Sequence, residues 1–265
     1  MIKRFYKPES VAEALRLKRQ YGAKARWFGG GTWINNSLGA VDCERAISVE
    51  KLGLDRIERT SGRLSLGAAA TLQQMIDSPE VWPVLQQAAR FLWSRNLRNM
   101  ATIGGHIALG HRSSGLIPCL LALGAELETT SNECIALEEY VREQQNDLIL
   151  KVRVPSVRGV CQVARVARQA KGPTIITAAV HVIRTAGRIE KARVVLGGVG
   201  EQVLQLAIVE RKLEEGPDIE KKVLEAAVAE AIAPAAPTAY QSYIGSVTIA
   251  DLVEACQEEK KAYEN

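Results

Sequence analysis

The sequence predicts a mixed α+β protein rather than a doubly wound sheet, because its strand-like and helix-like segments do not alternate one for one. Two further observations support this. Val160 to Arg168, Thr174 to Arg184 and Arg188 to Leu196 read as a three-strand meander, and helical stretches at roughly Asp218 to Ile232 and Thr238 to Cys256 follow it. With 265 residues and 47% of them hydrophobic, the chain can bury a full core and suits two compact units better than one.

Taken in order, the pattern opens with a helix. Ser10 and Glu13 have the spacing of a capping box, Val11, Ala14, Leu15 and Lys18 follow at helical intervals, and Gly22 closes the element. Lys24 to Phe28 reads as a strand feeding a glycine loop, a common place for ligand contacts, and Ala46 to Val49 and Arg63 to Ala68 are further short strands. Val84, Leu85, Ala88, Ala89 and Leu92 give Val81 to Trp93 helical periodicity, and Arg95-Asn96-Leu97-Arg98-Asn99 then leads to a second glycine loop. Leu116 to Leu123 is a buried helix closed by Gly124, Ala125 to Thr129 and Leu148 to Val154 are strands, and Pro155 ends the first large unit. Ala186-Gly187 supplies the tight turn of the meander, and Ala233-Pro234-Ala235-Ala236-Pro237 is a loop between the last two helices.

The functional signal lies in Trp27-Phe28-Gly29-Gly30-Gly31-Thr32-Trp33-Ile34 and Ala101-Thr102-Ile103-Gly104-Gly105-His106. Glycine lacks a Cβ and reaches positive φ, so backbone N–H groups in such stretches can converge on phosphate oxygens; together the two suggest a dinucleotide site. The first is not a Rossmann fingerprint, since Ile34 stands where the last glycine is required. A P-loop is excluded as well, because Lys171-Gly172 runs in the wrong order. Arg95 and Arg98 either support a phosphate or end a helix, where they complement its dipole.

The net charge of +4 reads as a solvated surface of interleaved Arg, Lys and Glu, with no nucleic-acid partner expected. Cys43, Cys119, Cys134, Cys161 and Cys256 are scattered without a C-x-x-C pair, which argues against a disulfide framework, a zinc site or an iron–sulfur cluster in this chain. Met1-Ile2-Lys3-Arg4-Phe5 shows no apolar h-region and no run approaches membrane-spanning length, so a cytoplasmic protein without membrane contact is expected.

Four motifs in order carry a family resemblance: Gly29-Gly30-Gly31-Thr32, Arg98-Asn99-Met100-Ala101-Thr102-Ile103-Gly104-Gly105, the Pro118 to Glu126 segment with Leu120-Leu121-Ala122-Leu123-Gly124-Ala125, and Gly197-Gly198-Val199. Over nearly its whole length the chain resembles the FAD-binding (medium) subunit of the xanthine dehydrogenase and carbon monoxide dehydrogenase family of molybdenum hydroxylases. The resemblance implies a two-subdomain FAD-binding domain of the vanillyl-alcohol-oxidase/PCMH type over 1–157, with subdomains near 1–53 and 54–157. A small C-terminal flavoprotein domain, a three-strand sheet with helices, would occupy 158–265. Carried over by position, Trp27, Phe28, Gly29, Gly30, Gly31, Thr32, Trp33 and Ile34 wrap the diphosphate of a noncovalent FAD. Ala101, Thr102, Gly104, Gly105 and His106 form a second wall, with Ser114 and Leu150 as further contacts. Leu92, Leu97 and Leu150 match apolar positions near the rings, or simply pack in the core. Molybdopterin and 2Fe-2S clusters would reside only in partner subunits, an iron–sulfur subunit and a molybdopterin-type catalytic subunit, with NAD as a possible acceptor.

The chain departs from the family pattern at several points. His106 stands where the family usually has Asn, and Ser114-Gly115 where it usually has Ser-Asp, whose carboxylate binds ribose. A lost charged hydrogen bond costs about 1.5–3 kcal/mol, and His106 can compensate as donor and acceptor. Near the flavin the family carries a lysine followed by Arg and an acidic residue; here Arg165, Arg168 and Lys171 offer cations, without the acid. His111 and His106 read as loop supports and His181 as structural. The resemblance implies FAD-mediated electron transfer within a complex, which accounts for the lack of a catalytic triad or paired-carboxylate site. The alternatives are a stand-alone flavoprotein reductase and a scaffold that has lost tight FAD affinity.

Overall fold

The computed structural model describes residues 2–35, 43–143, 147–186, 188–215, 219–235 and 237–263. Strand β1 (Arg4–Tyr6) leads into helix α1 (Val11–Tyr21), followed by β2 (Ala25–Phe28) and β3 (Arg45–Ser48). The Ser10 hydroxyl accepts from Glu13 N at 3.2 Å as the spacing predicts, but the Glu13 carboxylate accepts from Glu9 N at 3.0 Å, one residue earlier than a strict capping box. Gly22 ends α1 at φ 51°. The three strands form a sheet of order β1-β3-β2 with both pairs parallel. Ala14 of α1 packs with Ala25 and Ile47.

The chain continues through β4 (Ile57–Thr60), β5 (Arg63–Gly67), α2 (Leu72–Asp77), α3 (Pro83–Arg90), α4 (Arg95–Arg98), α5 (Ile103–Leu109) and α6 (Leu116–Ala122). It then forms β6 (Glu126–Thr129), β7 (Ile135–Ala136), α7 (Leu137–Arg142) and β8 (Ile149–Val154), closing a five-stranded sheet of order β4-β5-β8-β6-β7. The expected second glycine loop is therefore partly helix: Gly104, Gly105 and His106 lie in the first turns of α5.

The meander is present as β9 (Val160–Ala167), β10 (Thr174–Thr185) and β11 (Arg188–Gly197), and a short fourth strand, β12 (Leu204–Gln205), extends it to the order β12-β11-β10-β9. Ala186 takes φ 50° at the turn, and Gly187 lies outside the described residues. Helices α8 (Ala207–Glu215), α9 (Lys221–Ile232) and α10 (Ala239–Tyr263) follow; the expected start at Asp218 lies outside the described residues.

Two compact units result, one from 1–81, 94–109 and 126–153, the other from 82–93, 110–125 and 154–265. The α3 and α6 segments join the second unit because α3 packs on β9 and α6 on β10 and β11. The period of two in β10 divides that unit into layers. Ile176, Ala178, Val180 and Val182 face a core shared with Val228 of α9 and Ile249 and Val253 of α10. The opposite side belongs to the α6 segment: the Thr177 hydroxyl donates to Ser114 O at 2.8 Å, and the His181 ring sits 3.1 Å from Ala122 O.

Where β12 stops pairing, two carboxylates of α8 take over the edge of β11: Glu210 accepts from Val194 N at 2.7 Å and Glu214 from Ala192 N at 2.8 Å. Glu210 also accepts from the Gln205 amide at 3.1 Å.

The His181 Nε2 lies 2.6 Å from Arg158 O. Burial pushes its pKa below the usual 6.5, the two carbonyls oppose that shift, and nearby Arg193 and Lys191 add to it. The folded pKa is below the unfolded one, so the unfolded state binds more protons in the window just under pH 6.5. The neutral-ring contribution is full above the unfolded value and is lost as the pH falls through that window. Urea unfolding across it is expected to show a steeper loss of stability in the wild type than in His181→Gln; parallel curves would refute the assignment.

Candidate functional site

The first unit contains a cleft of ≈ 390 Å³ at the carboxyl ends of parallel strands β2 and β3, where the chain leaves Phe28 for the first glycine stretch and where Val49 follows β3. Trp27, Gly29, Gly30, Gly31, Thr32, Trp33 and Ile34 line one side. Ala101, Thr102, Gly104, Gly105 and His106 line the other.

Missing Cβ atoms hold these two stretches together. A Cβ on Gly30 would lie 1.6 Å from Met100 O, and one on Gly29 would lie 2.6 Å from the Thr102 hydroxyl. Gly30 is therefore required by close approach rather than by positive φ; of the three glycines, Gly31 alone is left-handed, at φ 65°. Gly104 is equally confined, its Cβ position lying 2.7 Å from the Ala68 Cβ, whereas at Gly105 the nearest atom is the Thr102 hydroxyl at 3.0 Å.

The two walls differ in what they offer an anion. Among the described residues, the N–H groups of Gly29, Gly30, Gly31, Thr32 and Ile34 have no hydrogen-bond partner, so the first wall presents backbone donors. The second wall, formed by Ala101, Thr102, Gly104, Gly105 and His106, does not. Ile103 N donates to Ala70 O, Gly104 N to Ala68 O and His106 N to Thr102 O, each at 2.9 Å. Gly105 N donates to the Thr102 hydroxyl at 3.1 Å, making Thr102 the N-cap of α5. That wall contributes proximity, with the Thr102 hydroxyl and the His106 ring as its polar side chains.

Phe28, Leu150 and Ser114 do not line the cleft. The Phe28 ring lies under Gly31, 2.2 Å from its Cβ position, and meets Phe5 edge-on. Leu150 O accepts from Ala68 N at 3.0 Å, behind the wall. Ser114 is buried in the second unit, where its hydroxyl accepts from Leu116 N at 3.2 Å and Ile117 N at 3.0 Å at the start of α6. Arg98 donates to the Gln73 amide oxygen at 3.0 Å, a bond within the protein.

Sequence reading missed Arg26, Val49, Ala68, Ala108, Leu109, Tyr140, Asp147, Leu148 and Ile149, which complete the lining. Tyr140 donates to Asp147 O at 3.2 Å, and burial, with the Asp147 charge, pushes its phenol up to about 12, so it remains a protonated donor at neutral pH. Arg26 and Val49 were within reach, one lying beside a glycine stretch and the other at the end of a parallel strand. Tyr140 and Asp147 lie far along the chain and carry no motif.

The Gly197-Gly198-Val199 motif grips the 112–115 segment instead of lining the cleft. Gly198 N donates to Arg112 O at 2.7 Å, Arg112 Nη1 donates to Gly200 O at 3.1 Å, and the Gln241 amide donates to Gly198 O at 2.9 Å.

The pattern of the family described as "FAD binding domain in molybdopterin dehydrogenase" matches residues 1–157. The chain belongs to this family. It is 37% identical over 262 residues to the uncharacterized protein YgfM of Escherichia coli (strain K12), covering 97% of this chain and 98% of that one. It is 26% identical over 274 residues to the carbon monoxide dehydrogenase medium chain of Afipia carboxidovorans, covering 94% and 95%. In fold it is similar to carbon monoxide dehydrogenase from Hydrogenophaga pseudoflava, with a TM-score of 0.87 at 22% identity over 97% of both chains. Quinoline 2-oxidoreductase from Pseudomonas putida 86 gives 0.81 at 19%, over 97% and 98%. The chain is thus an FAD-binding protein of the medium-subunit type of molybdenum hydroxylases, with the mixed α+β fold and C-terminal domain that this type implies. Among the described residues no helix is long and apolar enough to cross a membrane, and no group of three or more His, Cys, Asp or Glu is placed to hold a metal.

Gly115 stands where the family resemblance implies an Asp. It precedes α6, and a Cβ there would lie 2.7 Å from Phe91 Cβ and 2.8 Å from Phe91 Cδ2. Restoring the acid by Gly115→Asp is therefore expected to destabilise the protein by about 1–3 kcal/mol, the usual cost of overpacking, instead of simply tightening FAD binding. Urea denaturation checks this; wild-type stability would show that Phe91 yields freely.

Proposed function

We propose that this chain binds one FAD noncovalently in the cleft and serves as the flavin subunit of a multisubunit oxidoreductase. The supporting observation is the contact between Gly29-Gly30 and Met100-Thr102, which leaves bare N–H groups on one wall facing a second wall at Cβ-free distance. In this reading Gly29, Gly30, Gly31, Thr32 and Ile34 hold the diphosphate through their N–H groups, and the Thr102 hydroxyl and His106 ring bond from the opposite side. Phe28 and Leu150 act behind the cleft as supports, and Ser114 caps the start of α6 within the second unit. Residues 1–157 form the FAD-binding domain, with subdomains near 1–53 and 54–157, and 158–265 the C-terminal domain.

Bound FAD supplies exchange between single electrons and an electron pair. The protein binds and orients it and contributes no general base. The partners are an iron–sulfur subunit and a molybdopterin-type catalytic subunit, and NAD is the candidate acceptor; electron transfer in a soluble cytoplasmic complex follows from that assignment. The medium-chain relatives of carbon monoxide dehydrogenase support it.

Absorbance titration of the purified chain with FAD and FMN tests the reading. One FAD per chain, released by acid precipitation and bound far more tightly than FMN, is expected. No binding at high FAD would favour a scaffold that has lost the cofactor. Rapid turnover of the isolated chain with NAD(P)H and a small acceptor would favour a stand-alone reductase.

A further inference from the structure

Charge is not evenly interleaved along this chain, contrary to what its overall composition suggests. No Asp or Glu occurs between Glu80 and Glu126, nor between Asp147 and Glu190. These two stretches hold twelve of the 34 Lys and Arg residues and all three His, leaving 22 Lys and Arg against all 30 Asp and Glu elsewhere. In the second unit they supply α3, α6, β9 and β10.

Two parts of those stretches meet at a half-exposed tryptophan. Trp93, 49% exposed just beyond α3, lies under Lys171 Nζ, which is 5.7 Å from the ring centroid. Lys171 and exposed Arg168 project from the hairpin between β9 and β10. That hairpin is fixed from within: Arg165 donates to the Thr174 hydroxyl at 2.8 Å, to Ala170 O at 3.1 Å and to Gly172 O. Exposed Arg90 stands on α3 one helical turn from Gln87, whose amide reaches Val163 O of β9 at 3.5 Å. Among the described residues Arg90, Arg168 and Lys171 make no ion pair.

We propose that the Trp93 face of the second unit, with Arg90, Arg168 and Lys171, is a docking surface for an acidic polypeptide, namely an acidic patch on the iron–sulfur subunit. The naming of that subunit rests on the proposed function. A half-exposed tryptophan with Lys171 over its ring, between chain stretches that carry arginine and no acid, has the composition of an interface hot spot, and a surface without acids attracts an acidic partner at long range without repelling it locally. The Arg165 clamp orders the hairpin beforehand, which lowers the entropy lost on docking.

The test uses the FAD-loaded chain and the isolated iron–sulfur subunit, with the dissociation constant measured by biolayer interferometry over a range of salt and flavin content recorded for each variant. Arg90→Glu and Lys171→Glu are each expected to raise Kd by about tenfold or more and to flatten its salt dependence. Trp93→Ala is expected to weaken binding without changing the salt slope. Because Arg90 lies outside the hairpin, its variant reports on docking even if Lys171→Glu disturbs the loop. Unchanged Kd in flavin-replete Arg90→Glu and Lys171→Glu would overturn the inference while leaving the subunit assignment standing. Failure of the wild type to bind the iron–sulfur subunit at any ionic strength would overturn that assignment and this inference with it. Displacement of the bound subunit by single-stranded RNA at equal concentration would overturn it in favour of nucleic acid.

Discussion

Replacing Gly30 with Val is expected to abolish FAD binding and to destabilise the protein by at least about 3 kcal/mol, the top of the usual overpacking range. The obstacle is backbone: a Cβ would sit 1.6 Å from Met100 O, and no rotamer change relieves that. The two glycine stretches must separate, taking the cleft with them. Gly105→Ala is the matched control, because its new methyl meets only the Thr102 hydroxyl at 3.0 Å. A small loss of affinity with near wild-type melting is expected there. Flavin titration with thermal unfolding of both variants checks the pair, and equal behaviour would remove the distinction between close approach and donor geometry.

Gly198→Ala is expected to have the next largest effect, located in the second unit. Gly198 adopts φ 94°, and a Cβ there would lie 2.1 Å from Ile175 O. The substitution combines a backbone conformation that L residues avoid with a collision against strand β10. It also disturbs the bonds to Arg112 O and from Gln241. A loss of about 3 kcal/mol or more is expected in urea unfolding. Gly53→Ala, also at positive φ but with nothing within 4 Å of its Cβ position, should cost only about 1 kcal/mol. A Gly198 variant no worse than that would mean the turn can shift.

Local signals made much of this molecule legible in the sequence. Ser10, Glu13 and Gly22 mark α1 at both ends, and the alternation of β10 declares which residues face α9 and α10. Helix α5 was hidden because Gly104 and Gly105 lower helix propensity, while its stability comes from Thr102 capping and from packing against Ala68. Strands β1, β7 and β12 are two or three residues long, too short for any period to register. In the cleft, the glycine walls were readable because their chemistry is in the backbone. Tyr140, Asp147 and Ile149 reach it through sheet order and tertiary packing, which no local pattern encodes.

The carboxylates that α8 lays along β11 have a consequence for self-association. A sheet ending in an uncovered strand is a template on which another chain can add a strand, and a two-residue β12 shields little of it. By accepting from Ala192 N and Val194 N, Glu214 and Glu210 occupy the donors an intruding strand would seek. They do so with side chains that have no donors of their own to continue a ladder. Growth of the sheet stops at α8, and this border of the protein is closed to fibril-like stacking without an added strand.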